Sequence, residues 1–368
     1  MKILFINSIG KNKWGGGEKW LILASQGLKK RGHTVTIGCY PDSFLERKSI
    51  ESGIPVLPLN IKSDLSYKST LQLSRFFESN DTDIVVCVQN RDLMFAGLAA
   101  SMGKAPVLIS RHGVKLIKNG IKHKYIYNKY CKGLITNTKT IKEEYDSYGW
   151  WEDDFVKVIY NGVEEYSEKC DKYDLHSVVP QLNERSKIVI SIGRLSKQKG
   201  YKYLIDAASE VVKKYPDVYF FIAGRGKERN KLLKQISKKG LQEKFFILPF
   251  LNNVKPLIES ADLFVLPSLY EGMPNVVLEA LAQKHPVICT KVNGTKEIFG
   301  EKNSSALLPP ADKNSLRDAI LNFLQTGETG YNKEEVYERV KKIFTLEAMY
   351  DELEAYLKEK TTENKKAP

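Results

Sequence analysis

The chain has no apolar run near membrane-spanning length, no Cys-x-x-Cys pair, no Gly-x-Gly-x-x-Gly fingerprint and no Walker-type Gly-Lys-Ser/Thr. The first absence argues against a transmembrane anchor. The opening Met-Lys-Ile-Leu-Phe-Ile-Asn is too short for a secretory signal and ends in polar residues, so the expected location is the cytoplasm. The second argues against a disulfide framework or a zinc site, leaving Cys39, Cys87, Cys131, Cys170 and Cys289 as reduced thiols, mostly in apolar runs. The last two remove the usual dinucleotide and P-loop signatures. Acidic residues are missing from one long stretch: between Leu93 and Lys142 there is no Asp or Glu, but there are ten Lys or Arg.

What is present is the composition of a globular enzyme, 42% hydrophobic and 27% charged over 368 residues, long enough for two domains each with its own core. The formal charge of +13 restricts partners to anions: nucleotides, nucleic acid or an acidic membrane surface.

Two stretches begin alike. Lys2 to Asn7 reads as a buried strand, followed by a loop with Gly15-Gly16-Gly17-Glu18, a helix to Lys30, the turn Arg31-Gly32-His33 and a strand from Thr34 to Cys39. Further short strands, Asp83 to Val88, Val107 to Ser110 and Leu134 to Asn137, extend a parallel sheet. Arg111-His112-Gly113 follows one of them directly, at the edge where open α/β sheets bind ligands. Asp81-Thr82-Asp83 has the form of a metal-binding acidic pair but opens a strand, the wrong end for a site. Periodicity lapses from Asn161 to Ser186, a linker. The opening pattern then returns as strand Lys187 to Ile192, loop Gly193 to Gly200 with Arg194 and Lys199, helix Tyr201 to Lys214, strand Val218 to Ala223 and the turn Gly224-Arg225-Gly226. The expected fold class is α/β, with two Rossmann-like doubly wound domains facing across a cleft.

The segment from Leu266 to Thr290 reads as strand end, loop, helix (Asn275 to Gln283) and strand (Pro286 to Thr290). Pro274 stands just ahead of the first helical turn, where a missing N–H costs nothing. The amides of Met273, Asn275 and Val276 then meet an anion at the positive helix end. Glu271 and Glu279 flank those amides, and carboxylates repel a bare diphosphate. A nucleotide-sugar, with hydroxyls on both sides of its diphosphate, gives both glutamates a donor. A βαβ crossover whose glutamates merely cap and solvate the helix explains the spacing equally well. Beyond Thr290 come a loop with Asn293-Gly294 and Glu297, helices from Asn314 to Gln325 and from Lys333 to Phe344, and an amphipathic helix from Leu346 to Lys358.

Together these motifs resemble family 4 of the glycosyltransferases, retaining enzymes of the GT-B fold. The likeness rests on Gly15-Gly16-Gly17-Glu18 with Arg31-Gly32-His33, on Tyr160-Asn161-Gly162-Val163, on Gly193-Arg194-Leu195 through Lys199-Gly200, on Phe221 to Gly226, and on Glu271 with Glu279. Gly17 stands where alanine is usual, and Asn303-Ser304-Ser305-Ala306 replaces an Asn-Gly turn. The resemblance implies an acceptor domain over 1–165 completed by 346–360 crossing back and a donor domain over 166–345; the polar composition of 361–368 predicts a disordered tail. It implies that Arg194 and Lys199, with the amides of Met273 to Val276 beside Pro274, hold the diphosphate in place of a metal ion. Glu279 accepts from the ribose, and Glu271 and His112 meet the transferred sugar. Gly15, Gly16 and Gly17 approach from the other domain, and Gly193, Gly224 and Arg225 line the donor side. No cofactor or metal is implied, and no general base.

The implied function is transfer of a sugar from a nucleoside-diphosphate donor, UDP-sugar first and GDP-sugar next, to a glycan or lipid-linked acceptor in surface polysaccharide or lipopolysaccharide assembly. A nucleotide-sugar epimerase of the same fold is the alternative. A nucleic-acid binder accounts for the charge but not for the two glutamates. Within the basic stretch, Leu116, Ile117, Ile121, Tyr125, Ile126, Tyr127 and Tyr130 alternate with lysines, interrupted at Gly120. That pattern leads us to expect peripheral attachment of residues 111–132 to an anionic cytoplasmic leaflet. A solvated helix packed on its own domain and an acceptor groove for an anionic glycan fit the same residues.

Overall fold

In the computed structural model, which describes residues 1–61, 67–164 and 170–366, the chain forms two compact units, Met1–Gly162 with Leu346–Pro368, and Val163–Thr345. The domain boundary expected at 165/166 lies outside the described residues.

The first unit has strands β1 (Lys2–Asn7), β2 (Thr34–Cys39), β3 (Val56–Pro58), β4 (Ile84–Cys87), β5 (Val107–His112), β6 (Leu134–Thr136) and β7 (Val156–Val158). Its helices are α1 (Gly16–Lys30), α2 (Phe44–Glu51), α3 (Tyr67–Ser79), α4 (Asn90–Ala100), α5 (Ile121–Tyr130) and α6 (Lys139–Asp146). The second unit has β8 (Lys187–Ile192), β9 (Val218–Ala223), β10 (Phe245–Leu248), β11 (Leu263–Leu266) and β12 (Val287–Cys289). Around them lie α7 (Tyr201–Lys214), α8 (Arg229–Lys238), α9 (Lys255–Glu259), α10 (Asn275–Ala282), α11 (Asn293–Asn303), α12 (Lys313–Thr326) and α13 (Lys333–Ile343). The last helix, α14 (Leu346–Lys366), belongs to the first unit.

Both sheets are parallel, in the orders β3-β2-β1-β4-β5-β6-β7 and β10-β9-β8-β11-β12. Their strands are apolar on both faces because helices cover both sides, so alternate residues of β1 enter different cores: Ile3 and Phe5 pack towards α1 and α14, Leu4 and Ile6 towards α3 and α4. Strand order reverses between β1 and β4 and again between β8 and β11, which opens a crevice at the carboxyl edge of each sheet. All five cysteines are free thiols, and all but Cys170 are buried.

Several elements differ from expectation. Residues 361–366 are helical rather than a loose tail, because Thr361 is buried and its hydroxyl bonds back to the Leu357 carbonyl at 2.7 Å. Arg111 and His112 are the last residues of β5 rather than a loop after it, paired in register with Ile135 and Thr136. Asn293 and Gly294 begin α11 instead of a loop, since Thr295 supplies the turn: its hydroxyl accepts from Val292 N–H at 2.9 Å. Gly120 caps α5 rather than interrupting it.

The Arg31-Gly32-His33 turn anchors α14. Arg31 bonds Glu347, Asp351 and Glu354 at 2.9, 2.7 and 3.0 Å, and the His33 ring meets Glu354 at 3.0 Å. Lys358, His33 and Arg31 together hold the Glu354 carboxyl down at about 2. Beneath these ions Tyr350 lies flat on Gly27, where a Cβ would come within 2.4 Å of the ring. Gly17, in the first turn of the same helix, has no atom within 4 Å of its Cβ position. In urea denaturation Gly17→Ala should therefore add roughly 0.5–1 kcal/mol. Gly27→Ala should lose about 1–3 kcal/mol by overpacking against Tyr350.

Candidate active site

The second unit brings most of the expected residues to one crevice. The loop after β8 carries Gly193, Arg194 and Lys199, and the loop after β11 carries Glu271, Gly272, Met273 and Pro274. These are the strands between which the sheet order reverses. The two loops touch at Gly200, whose backbone is left-handed (φ 64°) and whose Cβ would sit 1.9 Å from the Pro267 carbonyl oxygen, so no side chain fits there. A backbone bond from Leu269 N–H to the Gln198 carbonyl at 2.7 Å closes the contact.

That contact sets the ion pair. Lys199 Nζ lies 2.6 Å from Glu271 Oε1, with the two side chains only 14% and 10% exposed. The Ser268 hydroxyl donates to the same carboxylate oxygen at 2.7 Å, and Gln198 Nε2 reaches Oε2 at 3.4 Å. Ser268 is itself fixed, since its carbonyl accepts from the Thr290 hydroxyl at 2.6 Å. Glu271 is thus held from three sides. Helix α10 starts at Asn275 with Pro274 as its N-cap and no side-chain cap; its first intrahelical donor is Val277 N–H, to Pro274 at 2.9 Å, so the Asn275 and Val276 amides precede the ladder. Glu279 lies one turn in, 4% exposed. Gly294 N–H bonds the Gly272 carbonyl at 2.9 Å and pins α11 to this loop. Arg194 is exposed, Gly224 directly follows β9, and the Arg225 guanidinium lies 4.8 Å over the Phe250 ring. Tyr201, fully buried behind Gly193, has its phenol pushed up by burial and by Glu271.

In the first unit Gly15 is the N-cap of α1, and Gly16 and Gly17 form its first turn. Glu18, buried, accepts from Asn7 at 3.3 Å. Arg111, also buried, stacks 4.0 Å over Trp20 and donates to Asn161 Oδ1 at 2.9 Å. Burial lowers its guanidinium to about 9, against the attraction of Glu18. A second buried group, Asp92, accepts from the Ser8 and Gln89 amides and is raised to about 7 by burial. Asp92 and Ser268 had no assigned role on sequence grounds, and Arg111, expected at an open ligand edge, is instead buried against Trp20 and Asn161.

His112 departs from expectation. It is fully buried, and both ring nitrogens are taken: Nδ1 by Tyr145 OH at 3.0 Å, and Nε2 by Ser110 Oγ and Tyr127 OH at 3.0 and 3.1 Å. Tyr145 OH accepts from Leu116 N–H, so its proton goes to Nδ1, which leaves Nε2 protonated. Neither ring nitrogen of His112 is left for a sugar hydroxyl in this geometry, because the side chain of the last strand residue points into the core under α5.

The sequence signature of the glycosyl transferases group 1 matches residues 173–359, about half of the chain, and that of glycosyltransferase family 4 matches residues 14–165. The chain belongs to the group 1 glycosyltransferases. It is 32% identical over 222 residues to an uncharacterized glycosyltransferase of Methanocaldococcus jannaschii, covering 56% of this chain and 55% of that one, so the chain spans about half the length of that relative. It is 26% identical over 285 residues, 73% of each chain, to the Escherichia coli UDP-Gal:alpha-D-GlcNAc-diphosphoundecaprenol alpha-1,3-galactosyltransferase. Among solved structures, Anabaena HepE in complex with UDP-glucose superposes with a TM-score of 0.83 at 21% identity, over 98% of this chain and all of that one. The fold of this group 1 glycosyltransferase is therefore GT-B.

Burial, with Arg111 and His123 nearby, lowers the His112 imidazole to about 3. Depressed below its unfolded value near 6.5, it contributes stability above that pH which is lost as the pH falls towards 3. Asp92, raised to about 7, has the opposite sign, its contribution being lost between about pH 4 and 7. The two slopes oppose one another, so imidazole NMR is the cleaner test. His112 should remain a neutral Nε2–H ring from pH 8 to pH 4; titration of its signals near pH 6.5 would show that the buried triad does not form.

Proposed function

We propose that the protein transfers a sugar, with retention, from a UDP-sugar to a glycan or lipid-linked glycan acceptor in surface polysaccharide or lipopolysaccharide assembly. The carrying observation is the juxtaposition of Lys199, Glu271 and the amino end of α10 at the crevice where the second sheet reverses. The E. coli relative, named for a UDP-galactose donor and a diphosphoundecaprenol-linked acceptor, and a Campylobacter jejuni relative named for a diphospho-undecaprenol-linked acceptor support this reading.

In this reading the donor diphosphate lies against the Asn275 and Val276 amides, where helix dipole and N–H groups favour an anion. Arg194 and Lys199 stabilise it as it departs, with no metal needed. Lys199 is already paired with Glu271, so the carboxylate aims the lysine while lying beside the transferred sugar, where it favours positive charge at the anomeric carbon. Glu279 accepts from the ribose, and Arg225 over Phe250 borders the base. Glu279→Ala should weaken donor binding with turnover largely kept, since a ribose contact is the same in ground and transition states. Glu271→Ala should mainly lower kcat. Turnover should survive EDTA; its loss, with recovery in magnesium, would sink the metal-free mechanism.

The acceptor side includes a second proposed feature, attachment to anionic lipid through residues 111–132. Of the apolar residues there, Ile117, Ile126 and Tyr127 are buried in the domain core, but Ile121 is 90% and Tyr125 61% exposed, one turn apart on α5. Lys118, Lys122, Lys124 and Lys129 are exposed around them, while Lys115 pairs with Glu144. Each lysine near an anionic leaflet contributes about 1 kcal/mol. The protein should float with phosphatidylglycerol vesicles and not with phosphatidylcholine ones, and lose the former in high salt and in Lys118/Lys122/Lys124→Glu. Equal flotation of variant and wild type would end the idea.

A further inference from the structure

The first unit contains a cavity of about 460 Å³ at the amino edge of its sheet, the opposite edge from Arg111 and His112. Lys132 stands two residues before β6, Asp154 two before β7, and Lys360 comes from α14. The depression is open to solvent on one side, so it suits one face of a ligand rather than enclosing it.

Two adjacent tryptophans wall it. The Trp150 and Trp151 rings meet at 79° with centroids 5.2 Å apart, making a corner. Trp151 is fixed on one side by stacking on Phe155 at 4.6 Å and by donating Nε1–H to Asn128 at 2.8 Å. Trp150 leans on Tyr148 at 5.0 Å. Both indoles remain partly exposed although a packed core adjoins them. A rigid aromatic corner loses little entropy when a ligand covers it.

The charges of the lining cancel: Lys132 and Lys360 against Glu152 and Asp154. Lys360 is nearly buried, with its ammonium 3.0 Å from Glu363 and 4.0 Å from Asp154. An anionic ligand gains no net attraction here and meets two carboxylates, while a wholly apolar one strands four ions and an amide from water. A ring with an apolar C–H face and a rim of hydroxyls satisfies both the indole corner and the charged rim. On the donor reading proposed above, the geometry points to a second saccharide site, for a neutral glycan, carried by the first unit alone and separate from the crevice of the second.

Tryptophan fluorescence tests this, with neutral oligosaccharides of glucose, mannose, galactose and N-acetylglucosamine as probes and a sulfated glycan as the charged control. The proposal expects a saturable change with at least one neutral probe. Trp150→Ala should weaken it about tenfold or more, equivalent to about 1.4 kcal/mol. Asp154→Ala, an exposed position, should weaken it roughly threefold through lost hydroxyl bonding. The thermal shift produced by UDP, a property of the second unit, should be unchanged in both variants, which separates failure of this site from failure of the donor reading and from misfolding. No saturable response to any neutral probe, an undiminished response in both variants, or a response to the sulfated glycan alone would each overturn the assignment.

Discussion

Everything at the crevice of the second unit depends on a backbone contact that tolerates no side chain. Gly200 meets the Pro267 carbonyl so closely that the loops after β8 and β11 touch main chain to main chain. Only then do a lysine on one loop and a glutamate on the other come within 2.6 Å. The pair is mostly buried, and an ion pair in that setting is a poor source of stability but a strict positional constraint. Ser268, Gln198 and Thr290 complete the constraint from the carboxylate side. Two groups of opposite charge are thereby held beside the amino end of α10.

The first unit uses buried polar groups differently. Arg111 joins α1, β5 and the segment at Asn161, while Asp92 gathers the amides after β1 and β4. His112 and two tyrosines form a neutral hydrogen-bonded triad beneath α5. Each satisfies polar atoms that a parallel sheet with both faces covered would otherwise bury unpaired. The anchoring of α14 follows the same economy: Arg31 and His33 lie at the end of α1 and meet three carboxylates of the last helix over the Tyr350–Gly27 contact.

Much of this was legible in the chain. Continuous apolar runs separated by helical periods require parallel sheets, because a strand buried on both faces cannot alternate. The repeat of strand and glycine-bearing turn at Lys2 and again at Lys187 required two such sheets. Pro274 ahead of an apolar helical pattern located the start of α10 to the residue, since proline is tolerated only where no N–H is needed. The short strands β3, β7 and β10 were not legible: β3 and β7 are three residues long with a proline or a lysine among them, and β10 stands in an apolar stretch with no turn signal directly before it. Residues 361–366 continue α14 although Thr and Lys read as solvated in the sequence, because a neighbouring surface buries Thr361.

By itself, then, the sequence determined the elements, the two sheets and which loops lie at their carboxyl edges, since these follow from local period and from the right-handed connection of parallel strands. Only tertiary structure decided which side chains at those edges are open and which are consumed. His112 and Arg194 read alike as polar residues at the end of a strand. One, the last residue of β5, points beneath α5 into a cage of hydroxyls, and the other, two residues past β8, into solvent; that difference arises from which side chains elsewhere in the chain pack over each position.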